Sequence, residues 1–194
     1  MSKGGFSRPA GSFVREPAIR VFSTELRESR LQFRDGEDEK SPSFILLPTG
    51  ERCNRIFICG EVTQKEKRGD QNTFYTARLR DPAGLFFLNA GSYQQEAMQQ
   101  MAKINQGDFA AVVGKPGIRE TPDGSIFVTV RVETITRIDK DTYLTWIDDA
   151  AEQTLDRLEK FGSTDDSMKA SEFYNTSTEH YRRIVYESLV AADI

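Results

Sequence analysis

One stretch of the chain, residues 54–139, decides the fold. It contains five short strand-like runs, with a helical run between the third and the fourth. The strand-like runs are NRIFICGEVTQ (54–64), TFYTARLRD (73–81), LFFLNA (85–90), DFAAVV (108–113) and IFVTVRVETITRID (126–139), and the helical run is SYQQEAMQQMAKIN (92–105). Three strands, a helix and two strands follow one another in the order that closes a small barrel.

That order is typical of the OB-fold, a five-stranded barrel that often holds single-stranded nucleic acid or oligosaccharide. The expected fold class is mainly β: a five-stranded OB-fold barrel with a capping helix, an N-terminal extension and C-terminal helices. We expect residues 1–14 to be disordered, 15–53 to pack on the barrel, 54–139 to form it and 140–162 to form an interaction helix. Residues 163–194 are predicted to be an acidic linker and a short terminal helix.

Charge is distributed unevenly along the 194 residues. The net charge is −4, but residues 140–194 hold six basic and twelve acidic side chains and so carry all of the excess. The low pI of about 5.2 therefore does not exclude a polyanionic ligand for the barrel. The sequence has no apolar run of the roughly 18 residues that cross a bilayer, and its N-terminus lacks the pattern of a signal peptide. We expect a cytoplasmic protein without a membrane partner.

Turn and cap residues predict the element boundaries. Ser92 with Gln95 three residues later resembles a capping box at the start of the helix between the strands, and Gly107 suits its end. Ala97, Met98, Met101 and Ile104 recur at helical spacing and are expected to close the barrel floor. The segment GKPGIRETPDGS (114–125) is predicted to be a loop between the fourth and fifth strands.

Period-two alternation sorts each strand into an inner and an outer face. Inward positions hold small and β-branched residues such as Ile56, Ala77 and Val130. The outward positions of the second, third and fifth strands combine aromatic rings with arginines, as a single strand requires for base stacking and phosphate contacts. With two cations of the predicted loop, the candidate nucleic-acid-binding residues are Phe74, Thr76, Arg78, Arg80, Phe87, Asn89, Lys115, Arg119, Phe127 and Arg131. The alternative is that some of these phenylalanines are ordinary surface residues or lie under the N-terminal extension.

Several motifs in order also resemble one family. REPAIRVFSTE, SFILLPTGERCNRIFICGEVT, YTARLRDPAGLFFLNAGSYQQEA, AVVGKPG and FVTVRVETI are similar to segments of the archaeal replication-protein-A-associated proteins. The resemblance covers residues 15–162 and implies an OB-fold protein acting with replication protein A in DNA replication and repair. Two positions depart from the family pattern. Asn89 stands where a second exposed aromatic is usual, and Tyr75 stands where Trp is frequent.

The helix predicted from residue 141 to residue 162 has an apolar stripe longer than a small barrel needs. By the same resemblance, the stripe is expected to dock a replication protein A subunit in a hetero-oligomer; the alternative is that it packs on the chain's own barrel or extension. The candidate partner-binding residues are Leu144, Ile147, Ala151, Leu155, Leu158 and Phe161. Beyond it, an acidic flexible arm is expected to end in a hook of Tyr181, Ile184, Val185 and Leu189.

Catalytic and metal-binding patterns are missing from the sequence. The single His180 lies far along the chain from the barrel, and Cys53, Cys59 and one His cannot complete a structural zinc site. We therefore expect no enzyme, no metal and no cofactor. Three functions remain open: a single-stranded DNA-binding subunit acting with replication protein A, an interaction module without direct DNA binding, and, with least support, a tRNA-binding module.

Overall fold

The computed structural model describes residues 16–34, 36 and 41–193. The predicted disordered segment 1–14 and most of the acidic loop around residues 35–40 lie outside the described residues. The helices are α1 Ser23–Arg27, α2 Gln95–Lys103, α3 Lys140–Glu159, α4 Asp165–Tyr174 and α5 Thr178–Ala192. The strands are β1 Leu31–Arg34, β2 Ser43–Leu46, β3 Arg52–Cys53, β4 Ile56–Arg68, β5 Phe74–Asp81, β6 Gly84–Ala90, β7 Phe109–Glu120 and β8 Ile126–Ile138.

Five strands close a barrel in the order β4-β5-β6-β8-β7. All neighbours are antiparallel except β6 and β8, whose parallel pairing at Leu88 and Val130 completes the ring. The alternation predicted from the sequence is confirmed, because the inward positions are buried, apart from half-buried Tyr75, and the outward positions are not. The buried inward residues are Ile56, Ile58, Val62, Ala77, Leu79, Phe86, Leu88, Ala90, Val128, Val130 and Val132. The expected OB-fold is therefore present.

The loop predicted between the fourth and fifth strands is wrong. Strand β7 continues to Glu120 and pairs with β8 along its whole length, so only a turn at residues 121–125 separates them. Beyond Gly114, β7 pairs with β8 and no longer with β4. Pro116 therefore lies where β7 has no β4 partner on its other side, and the missing N–H costs no ladder hydrogen bond there. Proline and glycine were interpreted as loop residues, but here they mark a bulge at Gly114 and a free strand edge.

Helix α2 starts later than predicted. It begins at Gln95 after Gln94, and no side chain caps its N-terminus, so the capping box assigned to Ser92 is wrong. The helix also ends at Lys103, before Gly107. Its predicted apolar stripe is confirmed, since Ala97 and Met101 are buried against the barrel.

The N-terminal extension belongs to the same core as the barrel. Val21, Phe22 and Leu26, in and before α1, are buried with the barrel's inner residues. The short strands β1, β2 and β3 form a separate antiparallel sheet beside β7. This small sheet adds a wall to one side of the barrel that a five-stranded OB-fold alone would not have.

The C-terminal helices correct two predictions. The segment predicted to be a polar linker contains α4, whose Thr164 and Ser167 form a capping box. The terminal helix α5 spans 15 residues, packs on α3 and buries Tyr181 and Val185, so it is not a flexible arm. Within the described ranges, no helix combines the length and the apolar character needed to cross a membrane.

The stripe on α3 is covered by the chain itself. Ile147 and Ala151 are buried in the main core, Leu158 is buried as well, and Trp146 donates its indole N–H to the Phe57 carbonyl oxygen at 3.0 Å. Leu144 and Leu155 are half-buried against the same core, and Phe161 is half-buried close to Gly50. The prediction of a free docking surface here is wrong; the alternative, packing on the barrel and extension, describes the structure.

Candidate nucleic-acid interface

A cleft of about 580 Å³ crosses the outer faces of β5, β6, β7 and β8, and we call it the aromatic cleft. Antiparallel pairing brings its side chains together: Arg78 lies opposite Phe87, and Thr76 lies opposite Asn89. The Arg78 guanidinium sits 5.8 Å from the centroid of the Phe87 ring. The side chains assigned to nucleic-acid binding that line this cleft are Phe74, Thr76, Arg78, Phe87, Asn89, Arg119 and Arg131.

The charge of the aromatic cleft differs from that of the whole chain. Four arginines line it, Arg68, Arg78, Arg119 and Arg131, and no carboxylate does so among the described residues. Arg68 pairs with Glu66, just outside the lining. The other three form no ion pair with any described residue; Arg119 instead donates from Nε to Thr129 Oγ1 at 3.4 Å. In a protein of net charge −4, this cleft is a local concentration of positive charge.

Two predicted residues lie outside the aromatic cleft. Arg80 forms an ion pair with Glu61 at 2.7 Å in a separate depression beside Gln106, and this partner raises the pKa of Arg80. Phe127 is 37% exposed but lines neither of the two main clefts. Arg80 and Phe127 therefore lie on the barrel's outer surface but outside the aromatic cleft.

Lys115 lines a second cleft of about 600 Å³, between β7, β8 and the small sheet of the extension. We call it the extension cleft. The two clefts share Asn89, Arg119, Thr129 and Arg131 as common wall. Lys115 therefore lies beside the aromatic cleft and not in it.

The lining residues that the sequence analysis missed include Tyr93, Gln64 and Arg68. Tyr93 is 97% exposed and lies at the rim of the aromatic cleft, where a ring can stack on a base without losing existing contacts. It was assigned to the start of α2, which begins two residues later. Arg68 lines the cleft because β4 runs to Arg68, beyond the predicted strand end at Gln64, which lines the cleft as well. An aromatic residue in the polar segment after the third strand was the available signal for Tyr93.

Titration properties give no support for a reactive group. Burial raises the pKa of the Cys59 thiol to about 12, and burial also raises that of Cys53 further, so both are neutral thiols. Glu66 has its pKa lowered, first by the hydrogen bond from Arg68 and then by that from Gln64. In the part of the chain that the structure covers, no group of three His, Cys, Asp or Glu side chains could hold a metal ion.

Comparison with known proteins gives structures but no family. No protein-family model and no curated protein matches the sequence. A chain of the S. pombe Stn1-Ten1 complex superposes with a TM-score of 0.57 at 10% identity, covering 74% of this chain and 96% of the other. A chain from the yeast Stn1 and Ten1 structure gives a TM-score of 0.54 at 12% identity, covering 82% and 83%. At these identities the likeness concerns the fold, and the chain is an OB-fold protein with added helices at its C-terminal end.

Proposed function

We propose that this protein binds single-stranded DNA through the aromatic cleft. The observation that carries the proposal is that aromatic rings line the cleft together with three arginines, Arg78, Arg119 and Arg131, that form no ion pair with a described carboxylate. Phe74, Phe87 and Tyr93 offer faces for unpaired bases, each worth about 1–3 kcal/mol. Arg78, Arg119 and Arg131 offer phosphate contacts, each of which adds to affinity and makes it salt-dependent.

The biological role follows from the resemblance of the sequence. We infer a subunit that acts with replication protein A in DNA replication and repair. One structural neighbour is a chain of the Stn1-Ten1 complex and the other comes from a structure of Stn1 and Ten1, which supports a hetero-oligomer for this chain too. Co-purification of the tagged protein with replication protein A subunits tests the inference; a protein that elutes alone and retains none of them contradicts it.

Fluorescence anisotropy with a labelled oligonucleotide tests DNA binding directly. The double variant Arg78→Ala, Arg131→Ala is expected to weaken binding by about 0.5–1.5 kcal/mol for each arginine. Arg182→Ala, Arg183→Ala is the matched control, since it removes two arginines exposed on α5. Equal affinity of both variants and the parent would place the nucleic-acid site elsewhere.

A duplex of equal length provides the second arm of the experiment. Stacking needs unpaired bases, and the cleft presents no helix that could enter a major groove. The single strand is therefore expected to bind more tightly than the duplex. A protein that binds neither strand form, but still retains its partner, would fit the second candidate function, an interaction module in a complex such as those of the structural neighbours.

A further inference from the structure

The extension cleft continues the aromatic cleft around the barrel. Asn89, Arg119, Thr129 and Arg131 line both clefts, so the two clefts adjoin along β6, β7 and β8. The two volumes, about 580 and about 600 Å³, are similar. Together they extend the surface available to a single strand beyond the aromatic cleft.

The N-terminal extension builds the far wall of this second cleft. Gln32 on β1 accepts a hydrogen bond from the Ile118 backbone N–H at 3.0 Å and donates to Ser43 Oγ at 2.8 Å. Ile118 lies on the part of β7 that has no β4 partner, so Gln32 occupies the free edge of that strand. The small sheet is thereby fixed beside the barrel at the place where Lys115 lies.

The chemistry of the extension cleft differs from that of the aromatic cleft. Its charged lining residues are Glu16, Arg55, Lys115, Arg119, Arg131 and Glu133. Glu133 is neutralised by Arg55 at 2.8 Å, which leaves three cations and one carboxylate. Amides and hydroxyls fill much of the remaining wall, and no aromatic ring belongs to it in the described ranges. Such a lining suits phosphates and sugars and offers no face for stacking.

We propose that the extension cleft is a second subsite, in which the single strand held by the aromatic cleft continues through contacts to its phosphate backbone. The subsite rests on the proposed function. It makes the small sheet part of the DNA interface, with Lys115 as its main phosphate contact. Lys115 is half-buried and forms no ion pair with a described residue, so its ammonium group can pair with a phosphate.

Oligonucleotide length separates the two subsites. Anisotropy is measured with labelled deoxythymidine strands from about 4 to about 16 nucleotides, the range of site sizes for one OB-fold. The longest strands are expected to bind the parent protein more tightly than the shortest ones. Lys115→Ala is expected to weaken the long strands roughly two- to tenfold and to leave the shortest unchanged. With the long strands, the slope of log K against log salt is expected to become shallower by about 0.7, the value for one phosphate contact on a single strand.

Lys140→Ala serves as the matched control, because Lys140 is exposed at the start of α3 and lines neither cleft. The subsite is overturned if Lys115→Ala and Lys140→Ala behave alike with long strands, or if affinity does not depend on length. In that case, weaker short-strand binding by the double variant Arg78→Ala, Arg131→Ala would still support single-stranded DNA binding by the aromatic cleft. Absence of binding at every length overturns the proposed function and the subsite together.

Discussion

The arginine buried on α3 and the arginines of the aromatic cleft differ in burial and in ion pairing. Arg157, on α3, is almost fully buried and donates to both carboxylate oxygens of Glu25 at 3.1 and 3.0 Å. The same guanidinium donates to Thr154 Oγ1 and to the Arg20 carbonyl oxygen. On the cleft side, Arg78 and Arg131 are exposed and have no carboxylate partner among the described residues.

The difference follows from solvation. A charge that leaves water loses several kcal/mol of hydration, so a buried arginine persists only where hydrogen bonds and an opposite charge replace the water. An exposed arginine keeps its hydration and needs no partner to be stable. Arginines that stay free on one face while others are paired elsewhere are therefore available to an anion, and the two groups respond differently to substitution.

The largest effect is expected at the buried pair. Arg157→Ala leaves the Glu25 carboxylate, which is 1% exposed, without its cation. Loss of one partner from a buried ion pair typically costs about 3–5 kcal/mol of unfolding free energy. Urea denaturation followed by circular dichroism measures it, with Arg78→Ala as the exposed counterpart, expected within about 0.5 kcal/mol of the parent. Similar losses in both variants would contradict the division between structural and ligand-binding arginines.

Asp81 sharpens the comparison, because it is a buried carboxylate without an ion-pair partner in the described chain. It accepts hydrogen bonds from the Ser23 N–H and hydroxyl at 2.8 and 2.6 Å and from the Ala83 and Gly84 N–H groups. Burial still raises its pKa from 3.8 to about 6. Below about pH 4 the carboxyl is protonated in both the folded and the unfolded state. As pH rises toward 6, the carboxyl ionises in the unfolded state first, which stabilises the unfolded state relative to the folded one.

The contribution of Asp81 to the folded state is therefore greatest in acid and is lost as pH rises from about 4 to about 6. A shift of roughly two pKa units corresponds to about 3 kcal/mol at most. The stability of the parent relative to Asp81→Asn, measured by denaturant titration at a series of pH values, is expected to fall across that window. A difference that stays constant or grows with pH would show that the hydrogen bonds outweigh the burial of the charge.

The aromatic rings of the cleft are expected to have an intermediate effect, on binding and not on stability. Phe74→Ala and Phe87→Ala should each weaken single-strand binding by about 1–3 kcal/mol, the worth of one stacked base. Phe127→Ala is the matched control from the same outer surface, since Phe127 is equally exposed at 37% but lies outside the cleft. An effect of Phe127→Ala as large as that of Phe74→Ala would mean that the DNA follows a different path across β8.

The barrel was predictable from the sequence because its strands alternate between buried and exposed side chains with a period of two. Each strand buries every second side chain, so the position of Val128, Val130 and Val132 fixed the outward direction of the residues between them. Six of the ten predicted nucleic-acid-binding residues line the aromatic cleft because of this alternation and because β5, β6 and β8 are neighbours. The seventh, Arg119, was predicted from a loop and lines the cleft from strand β7.

The remaining features depend on contacts between distant segments. The length of β7 past Pro116 depends on pairing with β8, which overrides the local preference of Gly and Pro for turns. The apolar stripe of α3 has the same appearance whether it faces a partner or the chain's own core. Ile147 belongs to the core, and α3 packs against β4, β7 and α5, which are distant from it in sequence. The place of Tyr93 at the aromatic cleft and the existence of the extension cleft likewise depend on contacts between segments that are distant in sequence.

The smallest expected effect compares two arginines on the barrel's outer face that differ in their partner and in their position relative to the aromatic cleft. Arg131 in the aromatic cleft has no described carboxylate partner, whereas Arg80 is held by Glu61 at 2.7 Å. If Arg131 contacts one phosphate, Arg131→Ala reduces the salt slope of single-strand binding by about 0.7. Arg80→Ala is expected to leave the slope unchanged, because its charge is already neutralised and lies outside the cleft. Anisotropy titrations at several salt concentrations measure both slopes under the same conditions. Equal slopes for the two variants would mean that ion pairing in the free protein does not determine which arginines contact the DNA. The difference between buried Arg157 and the exposed arginines of the cleft would then concern stability alone.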